Sequence, residues 1–420
     1  MATSSTSLPG KSPSPETGEW FSRTFKAFHY RDFRVMWVGA CTSSIGSEMQ
    51  RLAQSWLVLQ LSGSAFMLGL DAFLGEIPIF LFSLIGGVVA DRVERRNLLL
   101  MSQFIQMTCA FVLTVLFGTH TIQVWHILTL SFVSGLARSF GAPAYAALVP
   151  TLVDREHLPN AIALNSIQFN LARVIGPAIG GFALANWGAV WCFGLNGISF
   201  IAVIISLFIV RSRFIPTKTG ESMLQSMKQG ISFVQKQQAM GSLIVLAFCM
   251  TGLAIPLLVF LPVFAKNVLH GDARTFTILL GSSGVGSVVG ALVVAALGRV
   301  RRQGALALAA IVALGSLILL FSFSRSLAAS AFLVFLAGGA LIAVFAMVSS
   351  LVQTITPDNM RGRVMSVYNV AFRGGMPIGS LVMGSLVKQF TVPVVLACNG
   401  VLLAVLGLYL LTIDRKVAEL

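Results

Sequence analysis

Charged side chains are scarce in this chain, and acidic ones scarcest. Among 420 residues there are 29 Lys and Arg and 15 Asp and Glu, only 10% of the total. A soluble globular domain carries roughly a quarter, so the scarcity excludes one. Paired cysteines are missing as well. Cys41, Cys109, Cys192, Cys249 and Cys398 all fall inside apolar runs without paired spacing. That excludes a disulfide framework or a thiolate metal centre and leaves them as small packing residues. The first 19 residues are rich in Ser, Thr, Pro and Gly and lack the apolar core of a secretory signal. They read as a disordered cytoplasmic tail.

Catalytic signatures are absent too. No nucleophile–base pair stands out, and Gly281-Ser282-Ser283-Gly284-Val285-Gly286 lacks the lysine of a phosphate loop and lies in an apolar run. His120, His126 and His270 lie near the ends of apolar runs without metal-ligand spacing. The expectation is no enzyme, no ATP, no cofactor and no metal. The net charge of +14 would suit a nucleic acid, but the basic residues are scattered over short loops and form no single patch. A small molecule and a lipid bilayer are the partners that fit, with the protein acting as a monomer.

What the chain does have is apolar length. It is 56% hydrophobic with a mean hydropathy of +0.86. Twelve runs, near 34–61, 65–90, 98–118, 122–150, 161–185, 189–210, 240–265, 274–297, 304–323, 327–354, 364–387 and 392–412, can each cross about 30 Å of hydrocarbon. An even number returns both ends of the bundle to one side. Alternate connections hold 21 Lys and Arg, from Lys11 to Lys416, against only Lys266, Arg274, Arg325 and Lys388 on the opposite side. Positive residues stay inside, so both termini are expected in the cytoplasm of a plasma membrane, a bacterial inner membrane.

The longest connection, Arg211–Gln238, divides the runs six and six. Within it Met223, Met227, Ile231 and Val234 recur at helical spacing beside Lys228 and Lys236, as in a helix lying on the inner membrane surface. Phe21, Phe25 and Phe28 form a shorter stripe of the same kind. The expected divisions are a tail (1–30), a six-helix bundle (31–211), a cytoplasmic linker (212–239), a second six-helix bundle (240–413) and a tail (414–420). The halves echo each other. A shift of 200 places Ser166, Arg173 and Pro177 on Ser366, Arg373 and Pro377, and a shift of 203 places Leu148, Val149 and Thr151 on Leu351, Val352 and Thr354. Repeated halves with a site between them characterise secondary transporters.

Between the second and third runs lies the densest charge, Gly87-Val88-Val89-Ala90-Asp91-Arg92-Val93-Glu94-Arg95-Arg96. On a continuous helix Gly87, Asp91 and Arg95 would share one face, and the glycine would let a neighbouring helix come close. The fifth run holds Gly176-Pro177-Ala178-Ile179-Gly180-Gly181, in which the proline bends a helix and the glycines permit close packing. The order Gly-x-x-x-Asp-Arg-x-x-Arg-Arg resembles the signature loop of the major facilitator superfamily, with Glu94 where a second glycine is frequent. Gly-Pro-x-x-Gly-Gly resembles the antiporter motif of that superfamily's exporters, with Ala172 in place of an upstream glycine. Arg138-Ser139-Phe140-Gly141 is similar to its arginine–glycine motif, one residue short. The run from Leu148-Val149-Pro150 through Leu158-Pro159-Asn160-Ala161 to Arg173, with Thr356-Pro357-Asp358 and Arg361-Gly362-Arg363, resembles the branch of enterobactin exporters and drug-efflux proteins. The resemblance implies an all-α membrane fold of twelve helices in two pseudo-symmetric bundles. It also implies that Asp91 and the arginines Arg92, Arg95 and Arg96 latch the two halves together.

Ionisable residues inside the runs mark the site, because burying a charge at mid-bilayer costs at least about 2.5–3.5 kcal/mol on insertion scales. They are Glu48, Arg51, Asp71, Glu76, Arg138, Arg173 and Arg373. Glu48, then Asp71, then Glu76 are the candidates for carrying a proton. Glu48 and Arg51, three apart, can equally neutralise each other. Arg51, Arg138, Arg173 and Arg373 either face an anionic substrate or cap helix-end carbonyls. The leading reading is a proton-coupled antiporter exporting small amphipathic or anionic molecules, siderophore or drug, by alternating access. An importer of the same fold, or a receptor or scaffold that does not transport, are the alternatives. Reporter fusions in the N-terminal tail, in segment 211–238 and at Lys266 are expected to report inside, inside and outside. An outside signal from the middle fusion would reverse the layout.

Overall fold

The computed structural model describes residues 25–210, 223–298, 302–358 and 360–420. The expected tail up to residue 24, the connection 211–222, and the side chains of Asp91, Met223 and Met227 lie outside the described residues. Fourteen α-helices follow one another: α1 (Arg31–Ser62), α2 (Ala65–Arg92), α3 (Arg95–Gly118), α4 (Val124–Leu148), α5 (Leu158–Asn186), α6 (Ala189–Ile209), α7 (Met223–Lys236), α8 (Gln238–Val259), α9 (Leu261–Asn267), α10 (Ala273–Leu297), α11 (Gln303–Phe323), α12 (Leu327–Thr354), α13 (Arg361–Leu386) and α14 (Val392–Thr412). No strand occurs among the described residues. Local chemistry sets several boundaries. Gly63 takes a left-handed conformation to turn α1 into α2, Asp272 accepts the Arg274 and Thr275 amides at the start of α10, and Ser326 accepts that of Ala329 at the start of α12. Those amides hold the Asp272 carboxyl below its ordinary value, the Thr275 amide most of all.

Nine of these helices are long and apolar enough to cross a membrane. The long helices α1, α4 and α13 fall short because they carry polar side chains: Glu48, Gln50, Arg51 and Gln54 on α1, Arg138 on α4, and Arg361, Arg363 and Arg373 on α13. Elsewhere large apolar side chains such as Leu292 and Phe323 stand on the outer surface. That surface suits lipid as its solvent.

The packing repeats. In the first half α2 packs on α4, α1 on α5 and α6, and α3 on α4 and α6. In the second half α10 packs on α12, α8 on α13 and α14, and α11 on α12 and α14. The halves meet through two equivalent pairs, α2 with α13 and α5 with α10. Both contacts rely on glycine, because any Cβ would strike the opposing chain. Gly69 lies against Ser380 and Gly384, Gly284 against the Arg173 carbonyl, and Gly181 against Thr277. Phe80 covers Gly374 near the middle of the bundle, and Trp56 stacks on Phe276 with ring centroids 6.1 Å apart. These approaches run from mid-bundle to the end opposite the two termini.

Three expectations need correction. The seventh run is broken at Phe260, where Pro256 and Pro262 flank the junction of α8 and α9. The charged stretch is a turn between two helices, as the separate runs imply: α2 ends at Arg92, Val93 is extended, and α3 starts at Arg95, so Arg95 does not share the face of Gly87. Gly87 itself has no atom within 4 Å of a built Cβ, whereas neighbouring Gly86 lies against the Ser139 carbonyl and the Phe140 Cα. The residues flanking the bundle are docked. Ala27 donates its amide to Asn160 (2.9 Å) and Tyr30 donates to Asp154 (2.7 Å), a bond that holds its phenol above the ordinary value. At the other end Asp414 accepts from Ser242 (3.2 Å), Val417 is buried, and its carbonyl lies over Gly304. α7 matches the helix expected over the linker; its Gly230 packs on the Arg363 carbonyl of α13.

Within the turn, Arg95 donates to the Ala147 carbonyl (3.0 Å) and Arg96 to the Phe208 carbonyl (3.3 Å), the last turns of α4 and α6. Cations at helix C-termini are favourable there. Gly86→Ala is expected to cost about 1–3 kcal/mol by overpacking, while Gly87→Ala is expected to be neutral or slightly stabilising. Thermal unfolding of the purified variants in detergent decides it; equal midpoints would refute the close approach at Gly86.

Candidate functional site

Between the halves lies a cavity of about 350 Å³. Its two walls differ in chemistry. The first half supplies Glu48, Gln50, Arg51 and Gln54 from α1, Asp71 and Glu76 from α2, Gln106 from α3, Ser131 and Arg138 from α4, Arg173 from α5 and Asn196 from α6. The second half supplies Ile255, Leu258, Val259, Phe276, Leu280, Leu341, Ile342 and Met376, with Ser283 and Ser287 as its polar members. The first half also lines the cavity with Leu52, Leu68, Leu113, Leu130 and Phe200, so its wall is mixed, whereas the second half's wall is apolar apart from its two serines.

Six of the seven ionisable residues expected at the site therefore share one cavity. Arg373 is the exception: α13 contributes Met376 to the lining, while the exposed Arg373 side chain stands outside it, within electrostatic reach of Arg138. The charges that do meet are balanced, three carboxylates to three guanidiniums, so arginines do not outnumber acids. Arg51 pairs with Glu48 at 3.3 Å, the neutralising arrangement that their spacing allowed. Arg138 pairs with Glu76 at 3.5 Å and donates to the Gly75 carbonyl at 2.9 Å. Among the described residues Arg173 has no carboxylate within ion-pair distance.

Asp71 is held differently. Gln54 Nε2 lies 3.0 Å from both carboxylate oxygens, and Ser131 Oγ donates to Oδ1 at 2.5 Å. The chain of amides continues from Gln54 to Gln50 (3.4 Å) and from Gln50 to Asn196 (2.6 Å). Sequence reasoning missed these neutral partners. The signal available was Gln50 and Gln54, two amides one turn apart on an apolar helix.

The Gly176–Gly181 stretch explains how α1 is placed. Gly176 lies against Glu48 Cβ and the Ile45 carbonyl, and a Cβ on Gly180 would come within 2.9 Å of Met49 Cα. Pro177 lines the cavity and Gly181 meets Thr277 of the other half. These glycines seat the turn of α1 that carries Glu48, and they join the halves.

A family model described as transmembrane secretion effector matches residues 22–419. The chain belongs to this family of the major facilitator superfamily. It is 27% identical over 392 residues to the enterobactin exporter EntS of Citrobacter koseri, covering 90% of this chain and 91% of the relative. It is 25% identical over 358 residues to the multidrug efflux pump Tap of Mycolicibacterium fortuitum, covering 83% and 87%. In fold it resembles the D-xylose–proton symporter, with a TM-score of 0.72 at 12% identity, covering 93% of this chain and 99% of the other. The nucleoside transporter NupG gives 0.69 at 14%, covering 91% and 99%. This member of the secretion effector family is thus a multi-pass membrane transporter, not an enzyme, and its sequence relatives are efflux proteins.

The Arg138–Glu76 pair yields a test of how these charges are tolerated. Arg138→Leu leaves Glu76 uncompensated and is expected to destabilise by about 1–3 kcal/mol. Adding Glu76→Leu should recover most of the loss. A double-mutant cycle on thermal unfolding measures the coupling; additive losses would show that the pair contributes nothing.

Proposed function

We propose that this protein is a proton-coupled antiporter that exports small amphipathic or anionic molecules, siderophore- or drug-like, from the cytoplasm. In this reading the twelve long helices all span the inner membrane, the chain works as a monomer, and both termini and the 212–239 linker are cytoplasmic. The observation that carries it is the division of the cavity wall. A molecule with a polar head and an apolar body satisfies both walls at once, whereas a sugar or an ion would leave the Leu258–Phe276 side unpaired. The family's efflux relatives support the outward direction.

The state of the halves supports it too. Their glycine contacts lie at the end away from the termini. With the termini inside, that end is the outer gate, closed, and the cavity loads from the cytoplasm. Alternating access then separates α2 from α13 and α5 from α10 at that end and closes the other. Arg173 is the cation placed to meet an anionic group on the substrate. Asp91 and Arg92 retain the latch role implied by the resemblance, while Arg95 and Arg96 fasten the first half. The energy comes from the proton gradient, through one of the cavity carboxylates.

Inverted membrane vesicles with an imposed pH gradient test the whole reading. A panel of catecholate siderophores and amphipathic dyes is expected to contain members that accumulate against their gradient, and accumulation should stop when the pH gradient is dissipated. Leu258→Asn should lower transport about tenfold, the effect of losing one well-buried apolar contact. Uphill accumulation that persists without a pH gradient would refute proton coupling.

A further inference from the structure

We propose that Asp71 is the carboxyl that takes up and releases the coupling proton, and that Gln54 and Ser131 are the residues that position it. The proposal rests on the antiport reading above and narrows it to one of three acids. Its basis is what each acid would leave behind on becoming neutral.

Glu48 and Glu76 are each tied to a guanidinium, Arg51 at 3.3 Å and Arg138 at 3.5 Å. Protonating either one breaks an ion pair and leaves a guanidinium without its carboxylate, Arg51 with its side chain 56% exposed and Arg138 with 31%. Asp71 has no such dependant. It is 9% exposed, the most buried of the three, and its contacts are to an amide and a hydroxyl. A hydroxyl both donates and accepts, and an amide offers N–H and C=O. When Asp71 is ionised, Gln54 and Ser131 donate to it. When a proton from cavity water sits on a carboxyl oxygen, Ser131 Oγ can accept that O–H while Gln54 still donates to the other oxygen. Gln54 and Ser131 thus keep a hydrogen bond to the carboxyl in either form without moving a charge, and alternating access lets a proton taken up from the outer side leave to the cytoplasm.

The charges around Asp71 are accounted for on every packed element. On α1 they are Glu48 and Arg51, paired together. On α4 the charge is Arg138, which pairs with Glu76 of α2 itself and also acts electrostatically on Asp71. On α13 it is Arg373, outside the cavity lining. The three side chains of the cluster come from α1, α2 and α4, so a change in the hydrogen bonding of Asp71 is felt by three helices of the first half. Asp71 also lies beyond Leu68 and Gly69, the stretch of α2 that meets α13 at the closed end. A proton at Asp71 is therefore adjacent to the contact that must open.

The test needs no transported substrate. Infrared difference spectra of the purified full chain in lipid, recorded while pH is stepped through the neutral range, should show one protonated-carboxyl band. Isotope labelling of aspartate should shift that band without any substitution, since Asp71 is the aspartate of the cavity. The band should vanish in Asp71→Asn and persist in Glu48→Gln and Glu76→Gln. Gln54→Leu and Ser131→Ala should displace its pH midpoint by roughly one unit, the scale of one hydrogen bond to a charged group, while Ser131→Thr holds it. A band shifted by labelled glutamate, a band that survives in Asp71→Asn, or an unmoved midpoint in both positioning variants would overturn the proposal. A separate arm follows ethidium in inverted vesicles. If the wild-type protein shows pH-driven accumulation and Asp71→Asn keeps it, the proposal falls while the antiport reading stands. If the wild-type protein accumulates ethidium independently of the pH gradient, the antiport reading falls, and the infrared arm still decides whether Asp71 titrates.

Discussion

A charge alone in hydrocarbon costs at least about 2.5–3.5 kcal/mol on insertion scales, and the organisation of this cavity follows from avoiding that cost. Each carboxylate is compensated in one of two ways. Glu48 and Glu76 are matched by guanidiniums within one helix turn or across one helix contact, and Asp71 by neutral donors from two other helices. The two solutions are not equivalent. An ion pair is stable only while both members stay charged, whereas a carboxyl held by amide and hydroxyl groups can be satisfied in either protonation state. This cavity holds both kinds side by side.

Holding such partners within hydrogen-bond distance requires helices that approach closely, and here glycine carries the fold into the function. Gly176 and Gly180 set the depth of α1 against α5, Gly135 brings the Gly75 carbonyl of α2 up to α4, and Gly286 and Gly338 do the corresponding work between α10 and α12. The Gly75 carbonyl reached in this way is also the one that Arg138 bonds. In lipid, where apolar faces gain nothing by leaving the solvent, such backbone proximity and the polar bonds it permits are what hold helices together. The same logic makes the halves separable. Their contacts at Gly69, Gly181 and Gly284 are close but join few polar groups, so parting them strands little.

Much of this was legible from the residues. Charges are so rare in the apolar runs that Glu48, Asp71, Glu76, Arg51, Arg138 and Arg173 could be named without coordinates, and they do meet. The basic connections and the repeat spacing pointed to two related bundles. What could not be read was partnership. Ser131 is one of many serines in apolar helices, and only the crossing of α2 and α4 singles it out. Gly86 and Gly87 are neighbours in sequence but about 100° apart around the helix axis, so a motif that contains one says little about which faces α4. Arg373 matches Arg173 under a shift of 200, yet internal symmetry does not extend to the lining, whose charged and amide groups all come from the first half. The break at Phe260 was hidden because an apolar run reads the same whether or not its backbone is continuous.

The docked residues after α14 have a consequence for how the molecule is made. Val417 is buried and its carbonyl closes over Gly304 at the start of α11, while Asp414 reaches back to Ser242 at the start of α8. Those residues leave the ribosome after every helix of the bundle. The first half, complete by residue 210, can settle in the membrane while the rest is still being synthesised. The second half must wait with the first turns of α8 and α11 unsealed. Biogenesis is therefore lopsided in time although the finished bundles are near-symmetric in space, and truncations within 414–420 would fall on assembly of the second half.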